Sequence, residues 1–173
     1  FLSDPERFDI AAAVDIREER RKRAEIEFGC PAYAHYSDLL SRHDIDFIVN
    51  ASFSHQHASI TQDLLNHGFN VLVEKPAAGS PEEFKAMMEA SKQNGKMLAV
   101  FQQRRFSPFF EKIQQIIGTG VLGRIIQAEI ACNEFSRRWD WQCCQDYNGG
   151  SLFNTGPHPL DQGLQLLNDP NVL

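Results

Sequence analysis

Short apolar runs alternate with helix-like segments through the first part of the chain, and that alternation limits the fold more than any other feature. Phe8 to Val14 reads as a strand, bounded by the polar Ser3-Asp4-Pro5 turn and followed by Asp15. A charged helix runs from about Glu18 to Phe28 and is closed by Gly29-Cys30-Pro31, glycine supplying the stop and proline the break. A short helix near Ser37 to Ser41, a buried strand Asp46 to Asn50, a helix His57 to His67 closed by Gly68, and a strand Asn70 to Val73 follow. Ser80-Pro81-Glu82-Glu83 combines an N-cap, a proline at the first helical position and a glutamate three residues after the cap, which is a capping box. Phe84, Met87, Met88 and Ser91 fall on one stripe of the helix it starts, so the methionines read as core filling. Met97 to Phe101 is a further apolar strand. Strands that are continuously apolar, with helices between them, predict a parallel sheet covered on both faces.

The pattern changes after Pro108. A helix from about Phe109 to Ile117 leads through Gly118, Gly120 and Gly123 into a strand, Arg124 to Cys132, and then into a loop carrying Arg137, Arg138, Trp139, Asp140 and Trp141. Asn148-Gly149-Gly150 makes a tight turn, and a final helix spans about Gly156 to Leu167. Residues 1–107 and 108–173 therefore read as two different domains.

Composition narrows the function classes. Seventeen Lys+Arg stand against 23 Asp+Glu, a formal charge of −6 over 173 residues, which argues against a nucleic-acid partner. Hydrophobic residues at 42% and charged residues at 23% are an ordinary globular mix. No apolar run is longer than Ile10 to Val14, which falls far short of the roughly 18 residues a membrane span needs. Cys30, Cys132, Cys143 and Cys144 are too sparse for a disulfide scaffold and lack C-x-x-C spacing, so free thiols in a cytoplasmic protein are expected.

The string G-x-G-x-x-G occurs once, at Gly118, Gly120 and Gly123, but in the order helix, glycines, strand. A phosphate-binding loop needs the opposite order, so that glycine amides at a helix N-terminus meet the pyrophosphate. These are turn glycines. The Arg20-Arg21-Lys22-Arg23 run is flanked by Glu18, Glu19, Glu25 and Glu27 and reads as a solvated helix face. His55-Gln56-His57 has the composition of a metal pair but no third ligand nearby, so no metal is expected; its strand-to-helix position suits a cofactor cleft or a helix cap. Asp15, at the end of the first strand, is placed either to bind ribose hydroxyls or simply to open the next helix, and Arg17 two residues on is suited to a 2′-phosphate.

Glu74-Lys75-Pro76 follows directly on an apolar strand, where ligands bind in parallel sheets. A lysine there can donate to a substrate oxygen and favour a developing alkoxide. On these three residues alone a surface ion pair between Glu74 and Lys75 is the simpler reading. The second cluster is Gly149 to Asp161. If its middle is helical, Asn154 and His158 share a face at i, i+4 and Asp161 lies one turn past His158, although Pro157 and Pro159 make a regular helix before Leu160 doubtful. An imidazole suits a general base near neutral pH. It is the combination with Lys75 that gives His158 significance.

Taken together, the chain resembles the Gfo/Idh/MocA family of nicotinamide-dependent oxidoreductases. The resemblance rests on landmarks in family order: Asp15; Ser52-Phe53-Ser54-His55-Gln56-His57; Glu74-Lys75-Pro76; Gln103-Arg104-Arg105-Phe106-Ser107-Pro108; Gly120-Val121-Leu122-Gly123; and the Gly149 to Asp161 block. It implies an α/β fold, a Rossmann-like doubly wound parallel sheet lacking its first strand, followed by the start of an α+β substrate domain. It implies Lys75 and His158 as catalytic residues, with Asn154 where many members carry an aspartate. The implied substrate contacts are Asn154, Gln103, Arg105, Trp139 and Asp161, the last as a group orienting His158. The implied cofactor contacts are Asp15, Ile16, Arg17, Ser52, Phe53, Ser54, His57, Glu74, Lys75 and Gln103. NAD is the expected cofactor, with NADP possible through Arg17.

The expected activity is hydride transfer between NAD(P) and a hydroxyl-bearing carbon of a sugar, polyol or related molecule, in a cytoplasmic homo-oligomer with no nucleic-acid or membrane partner. Two rivals remain: a catalytically idle cofactor-binding or regulatory module, favoured by Asn154, and a relative of NAD-dependent glycosidases. The resemblance also leads us to expect an internal piece of a protein about twice as long, lacking the glycine-rich loop and most of the second domain, and inactive alone.

Overall fold

The computed structural model describes residue 4, residues 6–133, residue 135 and residues 137–167. The chain divides into two compact units, Phe1–Ile48 and Val49–Leu173.

In the first unit, β1 (Ala13–Val14) and β2 (Ala32–Tyr33) pair in parallel, Ala13 opposite Ala32 and Val14 opposite Tyr33. Helix α1 (Glu18–Phe28) connects them and ends on Gly29 at φ 67°, a left-handed position that glycine adopts without penalty. The strand expected over Phe8 to Val14 is thus only its last two residues. Apolarity marks what can enter a sheet, but a strand forms only where a partner takes its N–H and C=O groups. Here Ala13 N–H donates to Pro31 O at 3.1 Å and Asp15 N–H to Tyr33 O at 3.1 Å. Two-residue β2 is too short to show a period. No residue of α1 is buried, and Glu18–Lys22 and Arg23–Glu27 pairs line it at 2.6 and 2.9 Å, so the basic run is a solvated face.

In the second unit β4 (Asn70–Glu74) lies between β3 (Phe47–Asn50), which enters from the unit boundary, and β5 (Leu98–Phe101). Strands β4 and β5 are parallel, with Val73 opposite Val100 and Glu74 opposite Phe101. Helix α2 (His57–Asn66) and helix α3 (Pro81–Asn94) supply the crossovers. Ala58 of α2, Val73 of β4 and Met87 of α3 form one buried cluster, with Phe84, Leu98 and Val100 packed against it. Leu64, Leu65 and Val71 are also fully enclosed. Along β4 burial alternates: Val71 and Val73 are sealed while Asn70, Leu72 and Glu74 are half-buried. The Val71 and Val73 side of β4 is sealed within the unit, while its other side is partly covered. Ser80 Oγ accepts from Glu83 N–H at 3.2 Å, and the Glu83 carboxylate accepts in return from Gly79 N–H at 2.8 Å, one residue earlier than the cap itself.

Helix α4 (Pro108–Gly118) runs into Gly120 and Gly123, both at positive φ, as turn glycines should be. The strand expected over Arg124 to Cys132 does not form: these residues are irregular and mostly exposed. Among the described residues none pairs with them, and an apolar run without a ladder partner has no reason to be a strand. Helix α5 (Ser151–Asn154) and helix α6 (Pro157–Leu167) complete the unit. Proline is tolerated at both Pro157 and Pro159 because the first-turn N–H groups of a helix have no intrahelical partner to lose. Asn154 and His158 consequently sit on two different helices, not one.

Candidate active site

The loops leaving the carboxyl ends of β4 and β5 hold the polar residues of interest, and the segment after β3 is fixed beside them. Asn50, buried at the end of β3, uses both ends of its amide: Nδ2 donates to His57 O and Thr61 Oγ1 at 3.1 and 2.9 Å, while Oδ1 accepts from Ser52 N–H and Oγ–H at 3.2 and 2.8 Å. This pins Ser52, Phe53 and Ser54, of which Ser54 is buried. His57 is 2% exposed, with Nδ1 2.7 Å from Pro76 O and Nε2 3.0 Å from Ser52 O. Both ring nitrogens face main-chain carbonyls, so His57 joins the loop after β3 to the loop after β4 rather than lining a cleft.

Lys75 follows β4 directly, and its amide donates to the Glu74 carboxylate at 3.1 Å. Its Nζ donates to two oxygens of one residue, Asn154 O at 2.8 Å and Asn154 Oδ1 at 3.2 Å. Burial is the main cause holding this ammonium below its ordinary range; Arg138 and Arg104 act the same way, and Glu74 opposes them. The surface ion pair with Glu74 is not what forms: Lys75 turns to Asn154.

His158, in the first turn of α6, is 6% exposed, and its Nδ1 is sealed from solvent without a hydrogen-bond partner among the described residues. Burial, then Lys75 and Arg104, hold its basicity below the ordinary histidine range, against Asp161. The expected Asp161–His158 contact is absent because Asp161 is taken by Arg105, whose Nε is 2.8 Å from Oδ2 and whose Nη2 is 2.5 Å from Oδ1. The same pair engages the Arg105 guanidinium within the protein. Gln103 is exposed on the 3₁₀ turn Gln103–Phe106. That turn is held to α6 by Gln162 Nε2 donating to Arg104 O at 3.2 Å and, just before it, Gln102 Nε2 donating to Pro157 O at 3.4 Å.

Trp139 is 87% exposed, with the Arg137 guanidinium 5.9 Å from its ring centre. The aromatic that folds in is Trp141, which the sequence alone does not single out. Phe53 meets Trp141 and Tyr147 edge-on, at centroid distances of 5.2 and 5.3 Å, and Tyr147 meets His55 at 4.8 Å. Edge-to-face contacts of this kind add stability beyond area burial and lock the 141–147 loop to the segment after β3. The local signal that distinguishes the two tryptophans is Asp140, whose carboxylate caps the turn by accepting from Gln142 N–H at 2.9 Å.

In the first unit, the half-buried Asp15 stands at the carboxyl end of β1. Its Oδ1 accepts from Arg17 N–H at 2.8 Å, Arg20 approaches Oδ2 at 3.4 Å, and Arg21 donates to Asp15 O at 2.8 Å. Ile16 and Arg17 are exposed. All four cysteines are free thiols, and among the described residues no group of three or more His, Cys, Asp or Glu is placed to hold a metal. Nor is any described helix long and apolar enough to cross a membrane.

Parallel strands joined by helical crossovers make this an α/β protein of the class that binds ligands beyond the carboxyl ends of its strands. Comparison with known proteins is more specific. Residues 1–102 match the GFO/IDH/MocA oxidoreductase family, NAD-binding Rossmann fold, and residues 110–172 match the GFO/IDH/MocA C-terminal domain. The chain belongs to that family. An uncharacterised oxidoreductase of Schizosaccharomyces pombe is 28% identical, covering 96% of this chain and 46% of that protein. The scyllo-inositol 2-dehydrogenase (NADP(+)) IolW of Bacillus subtilis is 26% identical, covering 75% of this chain and 37% of its own length. A crystal structure of an NAD-binding protein from Listeria innocua superposes with a TM-score of 0.79 at 26% identity, covering 91% of this chain and 47% of that one. The chain thus spans about half the length of the curated relatives it matches.

Proposed function

We propose that the protein transfers hydride between NAD(P) and a hydroxyl-bearing carbon of a sugar, polyol or related small molecule. The observation that carries this reading is Lys75: a half-buried ammonium at the end of a parallel strand, gripped by Asn154 on the element before the helix that carries His158. The relative IolW, by its name, oxidises an inositol, which supports a polyhydroxylated substrate.

Each unit carries donors suited to part of a dinucleotide. Asp15 supplies an acid for ribose hydroxyls, with Ile16 flanking it and Arg17 available to a 2′-phosphate. Ser52, Phe53, Ser54, Glu74 and Gln103 supply hydroxyl, aromatic, carboxylate and amide groups for the nicotinamide half. His57 serves that half only by holding Ser52 and Pro76 in place. When bound, the nicotinamide supplies the hydride chemistry, and the chain's own residues bind, orient and move the proton. Lys75 and His158 meet the reacting oxygen, Asn154 orients Lys75, and the Arg105–Asp161 pair braces the helix that carries His158. Trp139, standing in solvent, is available to stack on a sugar face. Residues 1–107 serve as the cofactor domain and 108–173 begin the substrate domain.

The test is a screen of the full-length protein against polyols and sugars with NAD and with NADP. Substrate-dependent reduction of the nicotinamide supports the reading; sugar release without net reduction, or cofactor binding with no turnover of any polyol or sugar, contradicts it.

A further inference from the structure

We propose that Lys75 is the group that exchanges the substrate's hydroxyl proton, while His158 works beside it as a neutral hydrogen-bond donor through Nε2. This rests on the oxidoreductase reading above and divides the work between its two polar residues.

The first ground is the way Asn154 holds Lys75. Its main-chain oxygen and Oδ1 both accept from Nζ, at 2.8 and 3.2 Å. Those contacts commit two N–H positions, and Cε occupies a third corner of the tetrahedral nitrogen. The one corner left carries an N–H in the ammonium and a lone pair in the amine. Asn154 can hold both forms, because an amide brings no net charge. A carboxylate in its place would favour the ammonium and make the lone pair harder to reach. Burial, Arg138 and Arg104 push the opposite way, toward the neutral amine, against Glu74.

The second ground is His158. For Nε2 to accept a proton, Nδ1 must already carry one, and Nδ1 is sealed without an acceptor. Taking up the proton would then create an imidazolium with a buried, unpaired N–H beside Lys75 and Arg104, with Asp161 the opposing charge. A histidine base ordinarily has a partner that holds its second nitrogen. Asp161, the residue placed for that, is bound to Arg105. With its proton on Nε2, His158 is a donor to the substrate oxygen and avoids the charged state.

The step balances. The substrate O–H bond breaks and its proton bonds to the Nζ lone pair. The O–H electron pair becomes the second carbon–oxygen bond, and the C–H pair leaves as hydride to the oxidised nicotinamide, which is the oxidant. Lys75 then returns the proton to solvent. In the reductive direction the ammonium supplies it.

Two measurements on the full-length protein test this. In ¹⁵N-histidine-labelled protein, the His158 signal, assigned by its loss in His158→Gln, should show the proton on Nε2; a proton on Nδ1 would overturn the proposal. The second is the rate at which an amine-reactive anhydride acylates Lys75, read by peptide mass. Asn154→Asp should slow it at neutral pH by about tenfold or more, the equivalent of one pKa unit, and unchanged reactivity would overturn the proposal. In turnover, Asn154→Asp should move the acidic limb of the alcohol-oxidation profile to higher pH, whereas His158→Gln should leave that limb where it is. Loss of the limb in His158→Gln would return the proton to His158. The tautomer and acylation results need no turnover, so they stand apart from a failure to find any substrate.

Discussion

Arg105 and Asp161 are joined at two points, Nε to Oδ2 at 2.8 Å and Nη2 to Oδ1 at 2.5 Å, which ties the turn after β5 to the helix bearing His158. The arginine side chain is nearly half exposed while the aspartate is mostly covered, so solvent weakens but does not cancel the pair. Arg105→Ala should cost about 1 kcal/mol, the upper end for partly exposed pairs, with the deficit shrinking in high salt. Urea denaturation at two ionic strengths checks this. A loss several times larger, or one indifferent to salt, would mean the pair is not acting as an ion pair.

His158 makes stability depend on pH in a defined direction. Burial, Lys75 and Arg104 hold the folded-state group below its ordinary range. The unfolded chain therefore binds this proton first, at about pH 6.5. The contribution to stability is intact above that pH and is lost as pH falls through the window between the unfolded and folded values. His158→Gln lacks the group, so its stability should fall less steeply below about pH 6.5 than that of the wild type. Parallel curves in denaturant titrations across that range would remove this role from His158.

Gly149 is required by space. A Cβ there would lie 2.6 Å from the main-chain oxygens of Cys144 and Gln142. Both oxygens already accept backbone bonds, from Gly149 N–H at 3.0 Å and Gly150 N–H at 2.7 Å. Gly149→Ala must break or shift that loop and should cost about 1–3 kcal/mol, the range for forced overpacking. Because Trp141 packs on Phe53 through the same loop, its fluorescence should report the change even where the protein stays folded.

The Ser80 cap gives a prediction independent of the site. Ser80→Ala removes the acceptor of Glu83 N–H and should lower stability by about 1 kcal/mol. Ser80→Asp, which keeps an acceptor, should restore most of it.

Legibility follows the range of the interactions. Helix α1, the Ser80 cap and the order of elements through β5 are readable because caps, glycine stops and apolar periods are written within a few residues of one another. Val71 and Val73 announce a strand by themselves. What is not readable depends on partners far along the chain. The apolarity between Phe8 and Ala12 does not say which strand will pair with that segment, and Arg124 to Cys132 has no ladder partner among the described residues. In the site, chain position and family likeness locate Lys75 and His158, yet not their contacts. Asn154, expected among the substrate contacts, grips Lys75 across a separation of 79 residues. Asp161, expected beside His158, is held by Arg105, 56 residues away. No spacing rule reveals which of two acceptors a side chain will choose. Trp141 is legible only in part: Asp140 marks the turn that it opens, but the contact with the distant Phe53 is made by the fold.

Lys75 is the residue on which the proposed hydride transfer at a hydroxyl-bearing carbon depends. The most direct test is the initial rate of nicotinamide reduction by the full-length protein, wild type against Lys75→Ala, on whichever polyol or sugar gives turnover. The variant should bind cofactor and fold as the wild type does while its rate falls about 10²–10⁴-fold, the usual range for loss of a proton-transferring group. A folded Lys75→Ala protein that reduces the nicotinamide at the wild-type rate would contradict it.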